Sequence, residues 1–506
     1  MIIILDFGSQ YTQLIARKVR SLHVFTEIFP PTISQAKVAS LRPSGIILSG
    51  GPASVYEKGA PQLPDWVLQM GVPVLGICYG MQLLSRSGGG TVARSDEREY
   101  GLAELHIRGK SPLVEGVSAK SHVWMSHGDK VEKLPADYRM IADSANCPFA
   151  AMAHRNKPIF GIQFHPEVYH SQEGMTWLRN FIFTICRAPA DWHMKDFVSH
   201  TIDALRQEVG DRRVVCAVSG GVDSSVMAVL LAHAIGDQLR PVFVDNGLLR
   251  LNEVAQVKGM LERLGVKLKI VKAEKEVLHA LRGVTDPEEK RRIIGRKFIE
   301  VFNPMIGKED LLAQGTLYPD VIESVSTRGP SVTIKTHHNR VKEVLALMEL
   351  GRVVEPLAEL FKDEVREVGK LLEIPADILG RHPFPGPGLA VRCLGEVTKA
   401  RLDLLRQADA ILIEELKSTG EYDKIWQAFV VLLPVKSVGV MGDNRSYDSV
   451  AAVRCVTSSD GMTANWYPMP PEILGRISNR IINEVRGINR VCYDVSSKPP
   501  ATIEWE

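Results

Sequence analysis

The 506-residue sequence lacks any hydrophobic run long enough to cross a membrane. Its longest apolar stretches, such as AFVVLLPV, fall far short of the roughly 18 residues that a membrane span needs. It also lacks a basic leader, because MIIILDFGSQ has only a short apolar run before Asp6, which we interpret as a buried strand and not as a signal peptide. These absences predict a soluble, cytoplasmic protein without a membrane partner.

Cysteine and net charge are also scarce. The seven cysteines form no C-x-x-C pair and are odd in number, which fits a reducing compartment better than a disulfide framework. The formal net charge is only +2, so no broad electrostatic attraction to nucleic acid or to an anionic membrane is implied. We therefore expect small-molecule substrates, held in local pockets, and no nucleic-acid partner.

Short β-branched runs alternate with amphipathic stretches along most of the chain. MIIIL, GIILSG and PVLGIC are separated by helix-like segments, and a second such series begins near RRVVCAV, which is typical of βα units around parallel sheets. We predict an α/β fold with two parallel-sheet α/β domains, followed by a small α+β domain. Linker-like CRAPADWHM and the proline-rich RHPFPGPGLAVR place the domains at 1–190, 191–382 and 383–506.

In PVLGICYGMQLLSR, a strand runs into Cys78 and a helix begins just beyond it. The positive end of the helix dipole favours a thiolate there, although free cysteines are commonly inert and buried. In GIQFHPEV, His165 and Glu167 are two residues apart, which suits a base and its orienting carboxylate; a structural histidine is the alternative. Gly50 and Gly51 of ILSGGPASV, with the N–H of Tyr79, would stabilise an oxyanion.

GICYGMQ together with FHPE resembles the class I (triad) glutamine amidotransferases, which release ammonia from glutamine through a glutamyl thioester. This resemblance implies that Cys78 is the nucleophile, His165 the base and Glu167 the group that orients His165. It also implies that Gln82 contacts the amide of the glutamine substrate.

A glycine-rich turn, SGGVDSS, lies between the strand-like VVCAV and a helix of about three turns, but it lacks the lysine of a P-loop. Its amides and hydroxyls would surround a pyrophosphate. Asp223 would repel phosphate unless a divalent cation bridged the two, so the sequence predicts Mg²⁺ at Asp223; an ordinary helix cap is the alternative. The predicted ATP-binding residues are Ser219, Gly220, Gly221, Val222, Asp223, Ser224 and Ser225.

SGGVDSS resembles the PP-loop of the ATP pyrophosphatases, whose fold is adenine nucleotide α-hydrolase-like and which cleave ATP between the α and β phosphates. This resemblance implies ATP as co-substrate and transfer of AMP to an oxygen of the acceptor. Ammonia release beside adenylylation leaves two acceptor chemistries open: a carboxylate that becomes an amide and a purine carbonyl that becomes an amine. A non-catalytic nucleotide-binding protein is a further alternative, but Cys78, His165, Glu167 and Asp223 are all present.

Later segments, among them FVDNGLLR, IKTHHN, HPFPGPGLAVR, VGVMGDNRSY and SKPPATIEWE, resemble the glutamine-hydrolysing GMP synthase family. The resemblance implies amination of xanthosine monophosphate (XMP) to GMP; an NAD-synthetase type of amidotransferase is the runner-up. It implies a homodimer through the last domain and a mobile lid. The XMP contacts that it implies are Arg250, Asp443, Lys498 and Glu504, and the lid residues are Lys335, His337 and His338.

Overall fold

The computed structural model describes residues 1–326, 342–441, 444–458, 461 and 463–506. The chain divides into two compact units. The first comprises Met1–Phe197 and Pro319–Lys335, of which residues 319–326 are described, and the second comprises Val198–Tyr318 and Thr336–Glu506. Within the described residues, no helix is both long and apolar enough to span a bilayer.

The first unit is built on a nine-stranded sheet in the order β2-β1-β3-β4-β9-β8-β7-β5-β6. The strands are β1 (Ile2–Leu5), β2 (Thr26–Phe29), β3 (Gly45–Leu48), β4 (Val74–Ile77), β5 (Thr91–Ile107), β6 (Lys120–Lys133), β7 (Tyr138–Ser144), β8 (Ala151–His154) and β9 (Ile159–Ile162). Its helices are α1 (Thr12–Arg20), α2 (Gln35–Leu41), α3 (Trp66–Gln69), α4 (Tyr79–Ser87) and α5 (Gly174–Arg179), which continues as a π-helical turn over Asn180–Ile185.

Parallel pairing joins β2, β1, β3, β4 and β9, and antiparallel pairing joins the remaining strands. All four residues of β1, β3, β4 and β9 are buried, as expected for strands covered on both faces. The carboxyl ends of neighbouring parallel strands meet at one edge of the sheet, where α/β proteins bind their ligands. Cys78 follows β4 at that edge, and the loop with Gly50 and Gly51 follows β3.

The second unit contains a five-stranded parallel sheet in the order β12-β11-β10-β13-β14. The strands are β10 (Val214–Ala217), β11 (Leu239–Asp245), β12 (Lys269–Lys272), β13 (Leu311–Ala313) and β14 (Val353–Val354). From Met194 the helices of the chain are α6 (Met194–Val209), α7 (Val222–Ile235), α8 (Glu253–Arg263), α9 (Glu274–Ala280), α10 (Pro287–Phe302), α11 (Tyr318–Ser326), α12 (Lys342–Glu349), α13 (Lys362–Leu371), α14 (Ala376–Leu379), α15 (Lys399–Ser418) and α16 (Pro471–Glu484). All of α11 except Tyr318 belongs to the first unit.

A four-stranded sheet completes the second unit. Its strands are β15 (Gln427–Met441), β16 (Asn444–Thr457), β17 (Asn465–Trp466) and β18 (Ile488–Tyr493). β15 and β17 pair antiparallel with β16, whereas β18 pairs parallel with it. One continuous hydrophobic core includes Val215 of the parallel sheet, Leu412 of α15 and Val453 of β16. The predicted fold class, two parallel-rich α/β sheets and a smaller α+β region, is confirmed.

Candidate active sites

Cys78 occupies a strained turn between β4 and α4. Its φ of 52° and ψ of −107° lie outside the regions that residues other than glycine ordinarily adopt. A Cβ at Gly80 would lie 2.5 Å from the carbonyl oxygen of Leu48, so only glycine lets α4 approach β3 so closely. The strand-to-helix turn predicted from the sequence is therefore present, and it holds the thiol at the N-terminus of α4, where the helix dipole is positive.

His165 and Glu167 form a buried hydrogen-bonded pair. Nδ1 of His165 lies 2.7 Å from Oε1 of Glu167, and neither side chain has appreciable solvent exposure. β9 ends at Ile162; His165 forms an isolated antiparallel β-bridge with Trp124, and Glu167 lies in the turn that follows, so the two residues do not share one extended strand as the spacing suggested. Pro166, placed between them, fits the turn. The Glu167 carboxylate fixes the tautomer in which Nδ1 carries a proton and Nε2 is free to exchange one.

The charge state of His165 reflects opposing effects. Burial by itself favours the neutral ring, but the Glu167 carboxylate and the hydrogen bonds with Cys78 and Glu167 outweigh it, so the pKa of His165 is raised well above 6.5. The second oxygen of Glu167 is buried and has no hydrogen-bond partner among the described residues. The pair thus stabilises an imidazolium next to the Cys78 sulfur.

We expect Glu167→Gln to lower the pKa of His165, because it removes the negative charge that holds the imidazolium. The limb of the glutaminase pH profile that belongs to His165 should move to lower pH, and kcat/KM should fall at least tenfold, or about 10⁴-fold if the ring takes the other tautomer. A glutaminase pH series measures both effects. Glu132→Gln, at an exposed carboxylate of the same unit, is the matched control; an unmoved profile in Glu167→Gln would contradict the assignment.

The glycine pair after β3 lies against this centre. A Cβ at Gly50 would be 3.2 Å from Cε1 of His165 and 3.6 Å from Cβ of Cys78. A Cβ at Gly51 would be 2.7 Å from the carbonyl oxygen of Phe7, so a larger residue would displace the loop. Tyr79 provides the first N–H of α4, a position that has no partner within a helix. Gly50, Gly51 and Tyr79 are therefore brought to the centre as predicted from the sequence.

A cavity of about 1030 Å³ opens onto the sulfur, and both Cys78 and His165 line it. Gln82 also lines it, and its Nε2 donates to the carbonyl oxygen of Asp129 at 2.9 Å. Sequence reasoning missed Gln163, whose Nε2 lies 3.5 Å from the Cys78 sulfur. Its place two residues before His165 in GIQFHPEV is the signal that would have pointed to it.

The SGGVDSS loop follows β10 and ends at the N-terminus of α7. Ser224 Oγ accepts from the N–H of Ser219 at 3.2 Å, and Ser219 Oγ accepts from the N–H of Gly221 at 3.3 Å. Gly220 has a φ of +80°, and a Cβ there would lie 2.7 Å from Val257. The loop lines a cavity of about 330 Å³ with its amides and hydroxyls, together with Arg250 and Lys362. Such a loop at a helix N-terminus is suited to bind phosphate.

Asp223 has one oxygen engaged and one without a partner. Oδ2 lies 2.8 Å from Nζ of Lys362, whereas Oδ1 is buried without a hydrogen bond. The hydroxyl of Ser225, in the same first turn of α7, is also buried without a partner. No cluster of three or more acidic, histidine or cysteine ligands occurs in the described part of the chain. Since Mg²⁺ is commonly held by one or two carboxylates plus substrate phosphates, the free Asp223 oxygen fits a magnesium ligand.

Two guanidinium groups lie against one aromatic ring in the second unit, that of the fully buried Arg392 and that of Arg250, whose side chain is 18% exposed. Arg250 and Arg392 are both placed over Phe384, at 4.9 and 5.1 Å from the ring centre. Nε of Arg250 lies 3.2 Å from Oδ2 of the buried Asp409, but Nε and Nη2 of Arg250 and Nη1 of Arg392 have no hydrogen-bond acceptor. Buried N–H groups of this kind normally have partners, so those of Arg250, which lines the cavity of the SGGVDSS loop, indicate a place for an anionic or carbonyl-bearing ligand.

The C-terminal segment is held and not frayed. Arg392 donates to Glu504 through Nε and Nη2, at 3.1 and 2.8 Å, and Gln427 donates to Glu504 at 2.8 Å. Nζ of Lys498 donates to the carbonyl oxygen of Gly461 at 2.9 Å. Lys498 and Glu504 therefore lie in an ordered segment, as the proline-rich sequence suggested. Asp443 and the predicted lid residues Lys335, His337 and His338 lie outside the described residues.

His382 was also missed by sequence reasoning. Its Nδ1 accepts from the N–H of Ala428 at 3.2 Å, so Nε2 carries the proton and donates to the carbonyl oxygen of Tyr422 at 3.0 Å. Burial lowers the pKa of His382 to about 4, and the ring stays neutral at neutral pH. It attaches the proline-rich segment that carries Phe384 to the start of β15.

Comparison with known proteins assigns the chain to a family. The family model "Glutamine amidotransferase class-I" matches residues 3–185, and the model "GMP synthase C terminal domain" matches residues 414–505. Proteins named GMP synthase [glutamine-hydrolyzing] from Thermosipho melanesiensis, Aliarcobacter butzleri and Aquifex aeolicus are 54%, 56% and 54% identical to this chain. Each match covers 100% of this chain and 99% of the relative. The NAD-synthetase alternative is not favoured, and the chain belongs to the glutamine-hydrolysing GMP synthase family.

Proposed function

We propose that this protein makes GMP by adenylylating XMP at its C2 oxygen with ATP and then replacing that oxygen with ammonia from glutamine. The observation that carries the proposal is the presence, in one chain, of a strained Cys78 next to a 2.7 Å His165–Glu167 pair and of an SGGVDSS loop at the start of α7. One arrangement suits nucleophilic hydrolysis of an amide, and the other suits binding of the pyrophosphate of ATP. The products are GMP, AMP, pyrophosphate and glutamate.

In the glutaminase reaction, the Cys78 sulfur attacks the side-chain carbonyl of glutamine. His165 receives the thiol proton and delivers it to the departing nitrogen, so that ammonia leaves as the C–N bond breaks. Amide N–H groups of Gly50, Gly51 and Tyr79 stabilise the oxyanion, and water then hydrolyses the thioester to glutamate. Gln82, in the same cavity, orients the substrate amide.

In the synthetase reaction, the C2 oxygen of XMP attacks the α phosphorus of ATP and the bond to the β phosphate oxygen breaks. The Ser219–Ser225 loop holds the departing pyrophosphate, and Lys362 adds a cation that the loop itself lacks. Asp223 Oδ1 would hold Mg²⁺, which when bound neutralises charge on the phosphates. Ammonia then attacks C2, AMP leaves, and the nitrogen loses protons as the amine forms.

The acceptor nucleotide is bound by Arg250, beside Phe384, and by the C-terminal segment. The unpartnered N–H groups of Arg250, which lines the same cavity as the SGGVDSS loop, support this placement, because the phosphate or carbonyl oxygens of XMP would satisfy them. Lys498 and Glu504 lie in the segment held by Arg392. Asp443 is assigned the same role, and Lys335, His337 and His338 are assigned to a lid that reaches the phosphates.

We also propose the division into amidotransferase (1–190), ATP pyrophosphatase (191–382) and C-terminal dimerisation (383–506) domains. The two β15–β16 strands carry apolar side chains that are exposed in the single chain, at Val435, Val438, Val440 and Tyr447. Covering such a patch with the same patch of a second copy supports a homodimer through this region.

Incubation of the protein with XMP, Mg-ATP and glutamine, followed by chromatography of the nucleotides, tests the function. We expect GMP and AMP in equal amounts, with pyrophosphate and glutamate. Formation of ADP, or consumption of ATP without GMP, would overturn the proposal.

A further inference from the structure

A single buried lysine connects the structural elements around the acceptor site. Lys290 lies on the first turn of α10, and its side chain has no solvent exposure. Nζ donates to the carbonyl oxygens of Ala390 and Cys393, at 3.3 and 3.0 Å, and to Oε2 of Glu506 at 2.5 Å. A lysine ammonium has three N–H donors, and these three acceptors satisfy all of them. A buried charge is therefore fully compensated here.

The acceptors of Lys290 lie next to Arg392 and next to Glu504, which Arg392 binds. Ala390 and Cys393 stand on either side of Arg392, and Glu506 is two residues beyond Glu504. The Lys290 ammonium thus fixes the backbone on both sides of Arg392. It also fixes the C-terminal segment that carries Glu504, the carboxylate partner of Arg392.

Two more contacts support this anchoring of the C-terminal segment. The N–H of Gly395 donates to Oε1 of Glu506 at 3.4 Å, and Nη2 of Arg291 donates to the backbone oxygen of Glu506 at 2.6 Å. The segment is therefore held to α10 by two adjacent cations and, by the amide of Gly395, to the chain just beyond the proline-rich segment.

We propose that Lys290 is a positioning residue for the acceptor nucleotide: by holding residues 390, 393 and 506 it sets the geometry of the Arg392–Glu504 pair. The proposal rests on the proposed function of that pair. Neither Lys290 nor Arg392 has any solvent exposure, and neither lines the cavity that contains Arg250 and Phe384, so Lys290 acts on the nucleotide by setting the position of Glu504, whose side chain is 18% exposed. Buried ion pairs contribute little net stability but can specify one arrangement, which is the role assigned here.

The test is Lys290→Met, which keeps the length of the side chain and removes the ammonium. We expect KM for XMP to rise about tenfold or more, because a shift of a binding group by about 1 Å is enough for losses of that size. KM for ATP should stay within about twofold, and the glutaminase activity of the first unit should not change. Arg292→Met is the matched control, since Arg292 is an exposed cation on the same helix turn that pairs with Glu289.

A second variant separates positioning from stability. Lys290→Met with Glu506→Gln leaves no unpaired buried carboxylate, so the melting midpoint should recover while KM for XMP stays high. Recovery of both together, or an equal rise of KM for XMP and ATP in Lys290→Met, would show a purely structural role and overturn the inference. If Lys290→Met does not fold, Glu506→Gln and Glu506→Ala test the same contact from its other side, because α10 and Lys290 are intact in both variants. An unchanged KM for XMP in Glu506→Ala would then overturn the positioning role of Lys290.

These outcomes are distinct from failure of the proposed function. If the unaltered protein forms no GMP from XMP, ATP and ammonia, the proposed function is wrong. If it forms GMP and the Lys290 and Glu506 variants bind XMP as it does, only the positioning role is wrong. Hydrogen exchange of the 496–506 amides provides an independent readout: faster exchange in Lys290→Met, and not in Arg292→Met, is the expected result.

Discussion

Cys78→Ala is expected to lose glutamine-dependent GMP formation by at least about 10⁴-fold while keeping GMP formation from ammonium salts. The loss follows because no other described group takes the place of the Cys78 sulfur on its strained turn beside His165. Synthesis from ammonium should persist because the ATP loop and the buried arginines belong to the other unit. Initial rates of GMP formation with glutamine and with ammonium chloride measure both effects.

Cys147→Ala is the matched control. Cys147 is a free buried cysteine of the same unit. Burial raises the pKa of its thiol to about 12, so the thiol stays protonated at neutral pH. We expect it to retain glutamine-dependent activity apart from a modest loss of stability. Equal loss of glutamine- and ammonium-dependent synthesis in Cys78→Ala would mean that the nucleophile and the synthetase site are not separate.

The elements around both sites could be predicted from the sequence because each is local. The turn at Cys78 and the loop from Ser219 to Ser225 each lie between a strand and the next helix, and glycine spacing specifies their geometry. The spacing predicted His165 and Glu167 on one extended strand, whereas only His165 pairs as a β-bridge and Glu167 lies in the turn with Pro166, because spacing alone does not show where a strand ends. Local sequence therefore identified the chemistry better than it identified the conformation.

The groups that complete the second site were missed because they are distant in the sequence. Lys362 meets Asp223 across 139 positions, Arg392 meets Glu504 across 112, and Lys290 meets Glu506 across 216. No periodicity or motif connects such pairs; the first meets where α13 packs against α7, and the other two meet where the C-terminal segment returns to Arg392 and α10. The loop that lacked its own cation in the sequence gains one in the fold, from the first residue of α13.

Asp223→Ala is expected to lower GMP formation about 10²- to 10³-fold with either nitrogen source and to spare basal glutaminase activity. Whether Asp223→Ala strengthens or weakens ATP binding and catalysis shows whether Asp223 acts with or without a metal. If Asp223 met the phosphates without a metal, its removal would relieve repulsion and tighten ATP binding; if it holds Mg²⁺ through the free Oδ1, its removal costs the cation and weakens catalysis. Asp237→Ala, at a fully exposed carboxylate just after α7, is the control.

Comparison with Lys362→Met determines which oxygen of Asp223 matters. If Asp223 serves only to hold Lys362 through Oδ2, the two single variants and the double variant should show the same fold-decrease in the rate of GMP formation. Their dependence on magnesium concentration should also be the same. If Oδ1 holds the metal, Asp223→Ala alone should need more magnesium to reach half-maximal rate, whereas Lys362→Met should raise KM for ATP at an unchanged magnesium requirement. Titration of magnesium at fixed ATP separates these results, because the metal bridge depends on Oδ1 and the ion pair on Oδ2.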